Sequence, residues 1–60
     1  MLAEQRFEAI LQELADNRAA SVTRLCELTG ASEATIRRDL TALARQGRLN
    51  KVHGGAVLAS

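Results

Sequence analysis

Apolar residues recur along the first part of the chain at the spacing of one face of an α-helix. Ala3, Phe7, Ile10, Leu11 and Leu14 form that face, and Glu, Gln and Arg residues lie between them. Because residues three and four apart share a helix face, the pattern predicts an amphipathic helix that ends near position 17.

A second and a third helix follow, and each has recognisable ends. Ser21 is placed to cap the second helix, after an extended link at Ala19-Ala20, and Gly30 is placed to end it in a left-handed conformation. Ser32 is placed to cap the third helix, which ends at Gly47. The predicted apolar faces are Val22, Leu25, Cys26 and Thr29 on the second helix and Ile36, Leu40 and Leu43 on the third.

The pattern changes after the third helix. Leu49 and Val52 precede the sequence His53-Gly54-Gly55, and the apolar run Ala56-Val57-Leu58 follows it. Two short apolar runs separated by paired glycines predict a β-hairpin, with glycine supplying the positive φ angles of the turn. The expected fold is mainly α, a small α+β domain over residues 1–60: a winged helix-turn-helix of three helices followed by a β-hairpin wing.

Length and composition exclude several classes of protein. The 60 residues allow one domain with one modest core, and one cysteine (Cys26) and one histidine (His53) supply neither a disulfide nor the ligands of a structural zinc. We therefore expect no metal and no cofactor in this chain. The absence of a long apolar run and of a signal-peptide pattern predicts a cytoplasmic domain without a membrane partner. Without a phosphate loop or a local nucleophile–base pair, the chain is not expected to be an enzyme or to carry catalytic residues.

Charge is distributed unevenly between the two halves of the chain. Residues 1–30 carry three Arg against five acidic residues, a balance of −2, whereas residues 31–60 carry four Arg and one Lys against two acidic residues, a balance of +3. Their sum is the formal net charge of +1. A polarised domain of this kind can place its basic half against phosphates.

The third helix concentrates this basic charge on the face opposite its core. With Ile36 at 0°, Leu40 and Leu43 fall within about 40° of it, and a second cluster falls at about 140–200°. That outer cluster consists of Ala34, Arg38, Thr41 and Arg45, with Arg37 beside it. Arginine can bond bidentately to guanine, small residues allow close approach, and hydroxyls bond to bases or phosphates. The face therefore predicts contact with double-stranded DNA.

Asp39 departs from this basic pattern. It falls at about 300°, near the edge of the core. Because a partly buried carboxylate needs a partner, we interpret Asp39 as structural, paired with either Arg6 or Arg48.

The motifs around these residues resemble a known family. The spacing Arg6-x-x-x-Ile10-x-x-x-Leu14 and the run Ser32-Glu33-Ala34-Thr35-Ile36-Arg37-Arg38-Asp39-Leu40 are similar to the N-terminal signature of DeoR-type bacterial transcriptional regulators. The run from Gly47 to His53-Gly54-Gly55-Ala56 resembles the wing of the same domain. The resemblance extends from about Leu2 to Leu58.

This resemblance implies sequence-specific binding of double-stranded operator DNA, in a repressor of a carbohydrate or related metabolic operon. The recognition helix, about 32–46, is expected in the major groove, and the wing, about 48–58, on the backbone or in the minor groove. Lys51 stands where the family usually has Arg, and Thr29 where it usually has an aliphatic residue, which we expect to loosen packing slightly. The candidate DNA contacts are Ser21, Ser32, Ala34, Thr35, Arg37, Arg38, Thr41, Arg45, Lys51, His53 and Gly54, and the candidate structural residues are Arg6, Gly30 and Asp39.

The resemblance also implies a longer protein. Regulators of this type continue into a C-terminal domain that binds a sugar phosphate and assembles a homo-oligomer, whereas this chain stops just after the wing. It is therefore expected to be the DNA-binding domain of a longer regulator. The main alternative is a winged-helix module that binds another protein, which would present an exposed apolar patch instead of a basic face. Binding of single strands or RNA would need aromatic stacking platforms, and the one aromatic residue is Phe7, on the apolar face of the first helix.

Overall fold

Three helices and three short strands make up the computed structural model, which describes residues 1–59. Their bounds are α1 (Ala3–Asn17), β1 (Ala19–Ser21), α2 (Val22–Thr29), α3 (Glu33–Arg45), β2 (Leu49–Val52) and β3 (Gly55–Leu58). The predicted order of three helices followed by a hairpin is confirmed, as is the winged helix-turn-helix class. Within the described range, no helix is long and apolar enough to cross a membrane.

The sheet has one strand more than the predicted hairpin. The link at Ala19-Ala20 is part of β1, which pairs antiparallel with β3, so that the strand order is β1-β3-β2. Ala20 lies opposite Ala56, and Ser21 lies opposite Gly55. Three residues are too few to show a period of two, and alanine is depleted in strands, so the sequence predicted an extended link here but not its pairing with β3.

The core joins the helices to the sheet through residues that the periodicity predicted. Each of the three predicted helix faces is represented, and the two last strands add one residue each. The buried cluster consists of Ile10, Leu14, Val22, Leu25, Ile36, Leu40, Leu43, Leu49 and Ala56, with Phe7, Leu11 and Cys26 among the half-buried residues packed against it. This core fixes the orientation of α3, because its apolar face is fully covered.

Local hydrogen bonds at the helix boundaries lie where the sequence predicted them. The hydroxyl of Ser21 accepts from the Arg24 amide at 3.0 Å, and that of Ser32 from the Thr35 amide at 3.2 Å. Gly30 has a φ of 76°, and its amide donates to the Cys26 carbonyl at 2.8 Å. These residues set the turn between α2 and α3 and hence where α3 begins.

The two glycines of the wing turn have different roles. Gly54 has a φ of 76°, as predicted for the hairpin turn. Gly55 does not have a positive φ but opens β3, where an added Cβ would overlap the carbonyl oxygen of Ala20 and lie 3.0 Å from the Cα of Ser21. Gly55 is therefore required by the close approach of β1 and not by the turn.

Candidate nucleic-acid interface

The outer face of α3 is separated from the core as the helical projection predicts. Ile36 and Leu43 are completely buried and Leu40 is 1% exposed. Arg37, Arg38 and Arg45 are exposed, as is Ala34. The core contacts of three residues therefore determine which side chains this helix presents to solvent.

One of the two acidic residues of α3, Asp39, is paired on the side of the helix that faces α1. Asp39 is buried, at 6% exposure, and accepts two hydrogen bonds from Arg6 of α1. The Nε–Oδ2 distance is 2.6 Å and the Nη2–Oδ1 distance is 3.1 Å. This hydrogen bond to Asp39 raises the pKa of the Arg6 guanidinium above its ordinary value. Of the two partners considered for Asp39, the structure gives it Arg6.

The arginines of the outer face remain available for a ligand. Within residues 1–59, no protein acceptor bonds to the guanidinium groups of Arg37, Arg38 or Arg45. Arg6 and Arg24, by contrast, are paired with Asp39 and Glu13. A guanidinium has five N–H donors, so the outer face of α3 offers many unused donors.

The hydroxyl groups among the candidates are held by the protein itself. Ser21 and Ser32 cap their helices, and the Ser32 hydroxyl also donates to Thr35 Oγ1 at 3.1 Å. The Thr35 hydroxyl keeps its proton free, although the side chain is half-buried. These residues shape the start of α2 and α3, and Ser21 and Thr35 each retain one donor that faces no protein acceptor within residues 1–59.

Thr41 differs from the projection that placed it opposite the core. It is half-buried, its hydroxyl donates to the Arg37 carbonyl at 3.0 Å, and it accepts from Lys51 Nζ at 3.0 Å. The helix wheel considers α3 alone, whereas strand β2 packs beside this helix and brings Lys51 over Thr41. The sequence carried no signal for this contact between the wing and the helix.

The wing turn lies beside the start of α2. His53 and Gly54 are exposed at the turn, and the Gly54 carbonyl accepts from the Val22 amide at 2.8 Å. Ser21 lies directly opposite Gly55 in the sheet. Strand β1 thus brings together Ser21 and the wing turn, two candidates that are more than thirty residues apart in the sequence.

The turn between α2 and α3 contains an unpredicted contact. Thr29, expected to loosen packing, donates through its hydroxyl to the Leu25 carbonyl at 2.7 Å and accepts from the Ala31 amide at 3.2 Å. An aliphatic residue at this position could make neither bond. The hydroxyl therefore ties the end of α2 to the turn that follows Gly30.

Metal-ligating side chains and surface depressions complete the description of the surface. Within residues 1–59, no three His, Cys, Asp or Glu residues lie close enough together to hold a metal ion. A surface depression of about 300 Å³ lies between β1 and the wing, and among the described residues that line it only His53 is titratable.

Comparison with known proteins identifies the type of domain. Residues 6–60 match the DeoR-like helix-turn-helix domain. The chain belongs to this family. No solved structure matches the chain.

Relatives of this DeoR-like domain are transcriptional regulators, and the domain is not an enzyme. It is 42% identical over 60 residues to the uncharacterized HTH-type transcriptional regulator FruR of Bacillus subtilis, covering 100% of this chain and 24% of that protein. It is 48% identical over 52 residues to the L-fucose operon activator of Haemophilus influenzae, covering 87% and 21%. It is 39% identical over 56 residues to the lactose phosphotransferase system repressor of Streptococcus mutans, covering 93% and 22%. The chain spans about a quarter of the length of these relatives.

Proposed function

We propose that this DeoR-like domain binds double-stranded DNA sequence-specifically, with α3 in the major groove. The observation that carries the proposal is the outer face of α3, where three guanidinium groups have no protein partner within residues 1–59 while Asp39 is paired behind it. Arg38 and Arg45 lie at the centre of this face, and Arg37 lies at its edge. Arginine donors match the O6 and N7 acceptors of guanine, and an arginine at the edge suits a phosphate.

The wing supplies the second contact in this proposal. Lys51 adds a cation beside α3, and the exposed turn at His53 and Gly54 reaches the backbone or the minor groove. Ser21, next to this turn, retains a hydroxyl proton for a phosphate oxygen. The small side chain of Ala34 permits the close approach of α3 to the base edges.

A protein-binding module is the alternative class, and the apolar surface argues against it. The large apolar residues that are at least about one-third exposed are Met1, Leu2, Leu28, Val52 and Leu58, and none of them lies on α3. Their positions are at the N-terminus, on α2 and in the wing strands. The α3 face is polar and cationic, and such a surface suits a polyanion better than an apolar partner.

The longer protein in which such a domain works is also part of the proposal. We infer a cytoplasmic homo-oligomeric regulator of a carbohydrate operon, acting as a repressor and responding to a sugar phosphate bound outside residues 1–60. The support is the naming of two relatives after fucose and lactose systems, one an activator and one a repressor. Loss of the gene would raise expression of the operon if the protein is a repressor and lower it if the protein is an activator. Measurement of the operon transcript in a deletion strain therefore distinguishes the two roles.

The test of DNA binding begins with selection of bound duplexes from a random pool, followed by fluorescence anisotropy on the selected duplex. Arg38→Ala and Arg37→Ala are each expected to weaken the free energy of DNA binding by about 1–3 kcal/mol if the side chain reads a base. If the side chain contacts only a phosphate, its loss is expected to reduce the salt dependence of binding by about one unit of slope. Arg48→Ala is the matched control, because Arg48 lies beside Glu4 and Glu8 and not on α3. Equal losses for all three variants, or binding that ignores salt, would contradict the proposal.

A further inference from the structure

A chain of polar contacts connects the wing to the recognition helix. Lys51 Nζ lies 3.0 Å from Thr41 Oγ1, and Thr41 Oγ1 lies 3.0 Å from the Arg37 carbonyl oxygen. Lys51 belongs to β2 and Thr41 to the third turn of α3, so one hydroxyl contacts both elements of the proposed interface.

The strand register explains why Lys51 reaches α3. Side chains alternate between the two faces of a strand, so Lys51 shares its face with Leu49. Leu49 is 1% exposed and belongs to the core, and Ala56, which lies opposite Lys51 in β3, is completely buried. The stem of Lys51 therefore starts on the helix-facing side of the sheet, and its ammonium emerges at the edge of α3.

The hydroxyl of Thr41 is almost fully used by these contacts. Its single proton is donated to the Arg37 carbonyl, and Lys51 occupies one of its two lone pairs. It therefore has no proton left to offer to the O6 or N7 acceptors of a guanine. The ammonium of Lys51, by contrast, has three N–H donors, of which the contact with Thr41 uses one.

We propose that Thr41 is a positioning residue that holds the Lys51 ammonium against α3, where it binds a DNA phosphate, and that Thr41 itself reads no base. This inference rests on the proposed function and changes the role assigned to Thr41 from the sequence. A lysine side chain loses much rotational freedom when a contact immobilises it, so a lysine held in place before binding loses less when the phosphate arrives. The contact between Lys51 and Thr41 also aligns the wing with α3, so that both elements contact the same stretch of the DNA backbone.

A double-mutant cycle on the selected duplex tests the assignment. Thr41→Val removes the hydroxyl at nearly constant shape, and Lys51→Met removes the ammonium and keeps the stem. We expect Thr41→Val to weaken binding about three- to ten-fold, and Lys51→Met to weaken it further and reduce the salt slope by about one unit. In the Lys51→Met background, Thr41→Val should have no further effect, because the ammonium that it positions is gone.

The opposite pattern overturns the assignment. If Thr41 reads a base, Thr41→Val costs the same in both backgrounds, and repeating the selection with this variant changes the preferred base at one position. Thr41→Ser, which restores the hydroxyl, should recover most of the affinity. Circular dichroism of each variant identifies any loss of fold, and Thr41→Ala, which also lacks the hydroxyl and favours the helix, then replaces Thr41→Val as the comparison.

A measurement without DNA separates this inference from the proposed function. In NMR spectra of the free domain, Thr41→Val should shift the Lys51 Cε and Hε resonances and the amides of β2, while Thr41→Ser leaves them near their original positions. If the wild-type domain binds no duplex, the proposed function is wrong, and these shifts still report whether the bridge exists. Unchanged shifts in Thr41→Val, with duplex binding intact, overturn the positioning role alone.

Discussion

Arg6 and Asp39 join α1 to α3 through two parallel hydrogen bonds, with a distance of 2.6 Å between Nε and Oδ2. Asp39 immediately follows Arg38 in the sequence, so the pair anchors the helix from behind at the level of its outer arginines. The bidentate geometry restricts rotation of α3 about its axis as well as its distance from α1. The proposed DNA-reading face is therefore oriented by an ion pair as well as by apolar packing.

The two halves of this ion pair should differ in how much their loss destabilises the domain. Side-chain exposure is 18% for Arg6 and 8% for Asp39. Arg6→Ala leaves a carboxylate with little access to water, whereas Asp39→Ala leaves a guanidinium that can turn toward solvent. We expect Arg6→Ala to lower the urea midpoint more than Asp39→Ala does. Equal midpoints for the two variants would contradict this reasoning.

The stability supplied by this pair should not vary across neutral and alkaline pH. The bond to Asp39 raises the pKa of Arg6, and stability from a group with a raised pKa is lost only as pH rises through the folded-state pKa. That pKa lies above the ordinary arginine value, so the stability difference between wild type and Arg6→Ala should be equal at about pH 7 and about pH 10. Urea unfolding of wild type and Arg6→Ala at the two pH values measures this difference.

Gly55 and Gly54 should respond differently to the same substitution. Gly55→Ala places a Cβ against the backbone of Ala20 and Ser21, which cannot move without separating β1 from β3. The expected cost is about 2–3 kcal/mol, much of the stability of a domain of this size. Gly54→Ala meets no atom within 4 Å and has only the strain of a φ of 76°, about 1 kcal/mol. Thermal unfolding followed by circular dichroism compares them, and a smaller loss for Gly55→Ala would be inconsistent with the close approach.

Arg18 holds a backbone conformation that suits glycine. It follows α1 with a φ of 69° and is the only non-glycine residue with a positive φ among residues 1–59. Arg18→Gly should stabilise the domain by about 0.5–1 kcal/mol, because relief of steric strain exceeds the added entropy of the unfolded chain. Arg18→Ala, which removes the same side chain and keeps the Cβ, is the control and should not stabilise. An equal gain in stability for both variants would mean that loss of the Arg18 charge, and not relief of backbone strain, stabilises the domain.

The helices of this domain could be predicted from the sequence because their signals are local. The spacing of Ile36, Leu40 and Leu43 identifies the buried face of α3, and the Ser21 and Ser32 caps bond to amides three residues away. Such contacts form within a turn of the chain, so a pattern over a few residues is enough to predict them. The outer position of Arg38 and Arg45 follows from the same spacing.

Such local patterns could not predict contacts between residues that are distant in the sequence. Strand β1 exists because β3 lies beside it, and the need for glycine at position 55 follows from that approach. The sequence offered two partners for Asp39, Arg6 and Arg48. The choice between them depends on how α1 packs against α3, because Arg6 lies 33 residues from Asp39 in the sequence. A one-dimensional pattern carries no information on which of two such side chains is within reach.

By itself, then, the sequence determined the helices, their buried faces, the glycine turn at Gly54 and the basic outer face of α3, because each depends on residues within a few positions of one another. Tertiary structure decided what those elements meet: β1 against β3, Arg6 against Asp39 and Lys51 against Thr41. The last of these contacts changes the role of Thr41, since a hydroxyl that bonds only to the Arg37 carbonyl on an isolated helix also accepts from Lys51 once β2 packs beside it. Local periodicity sets the direction in which a side chain points, and only the packing of elements sets the partner that it finds there.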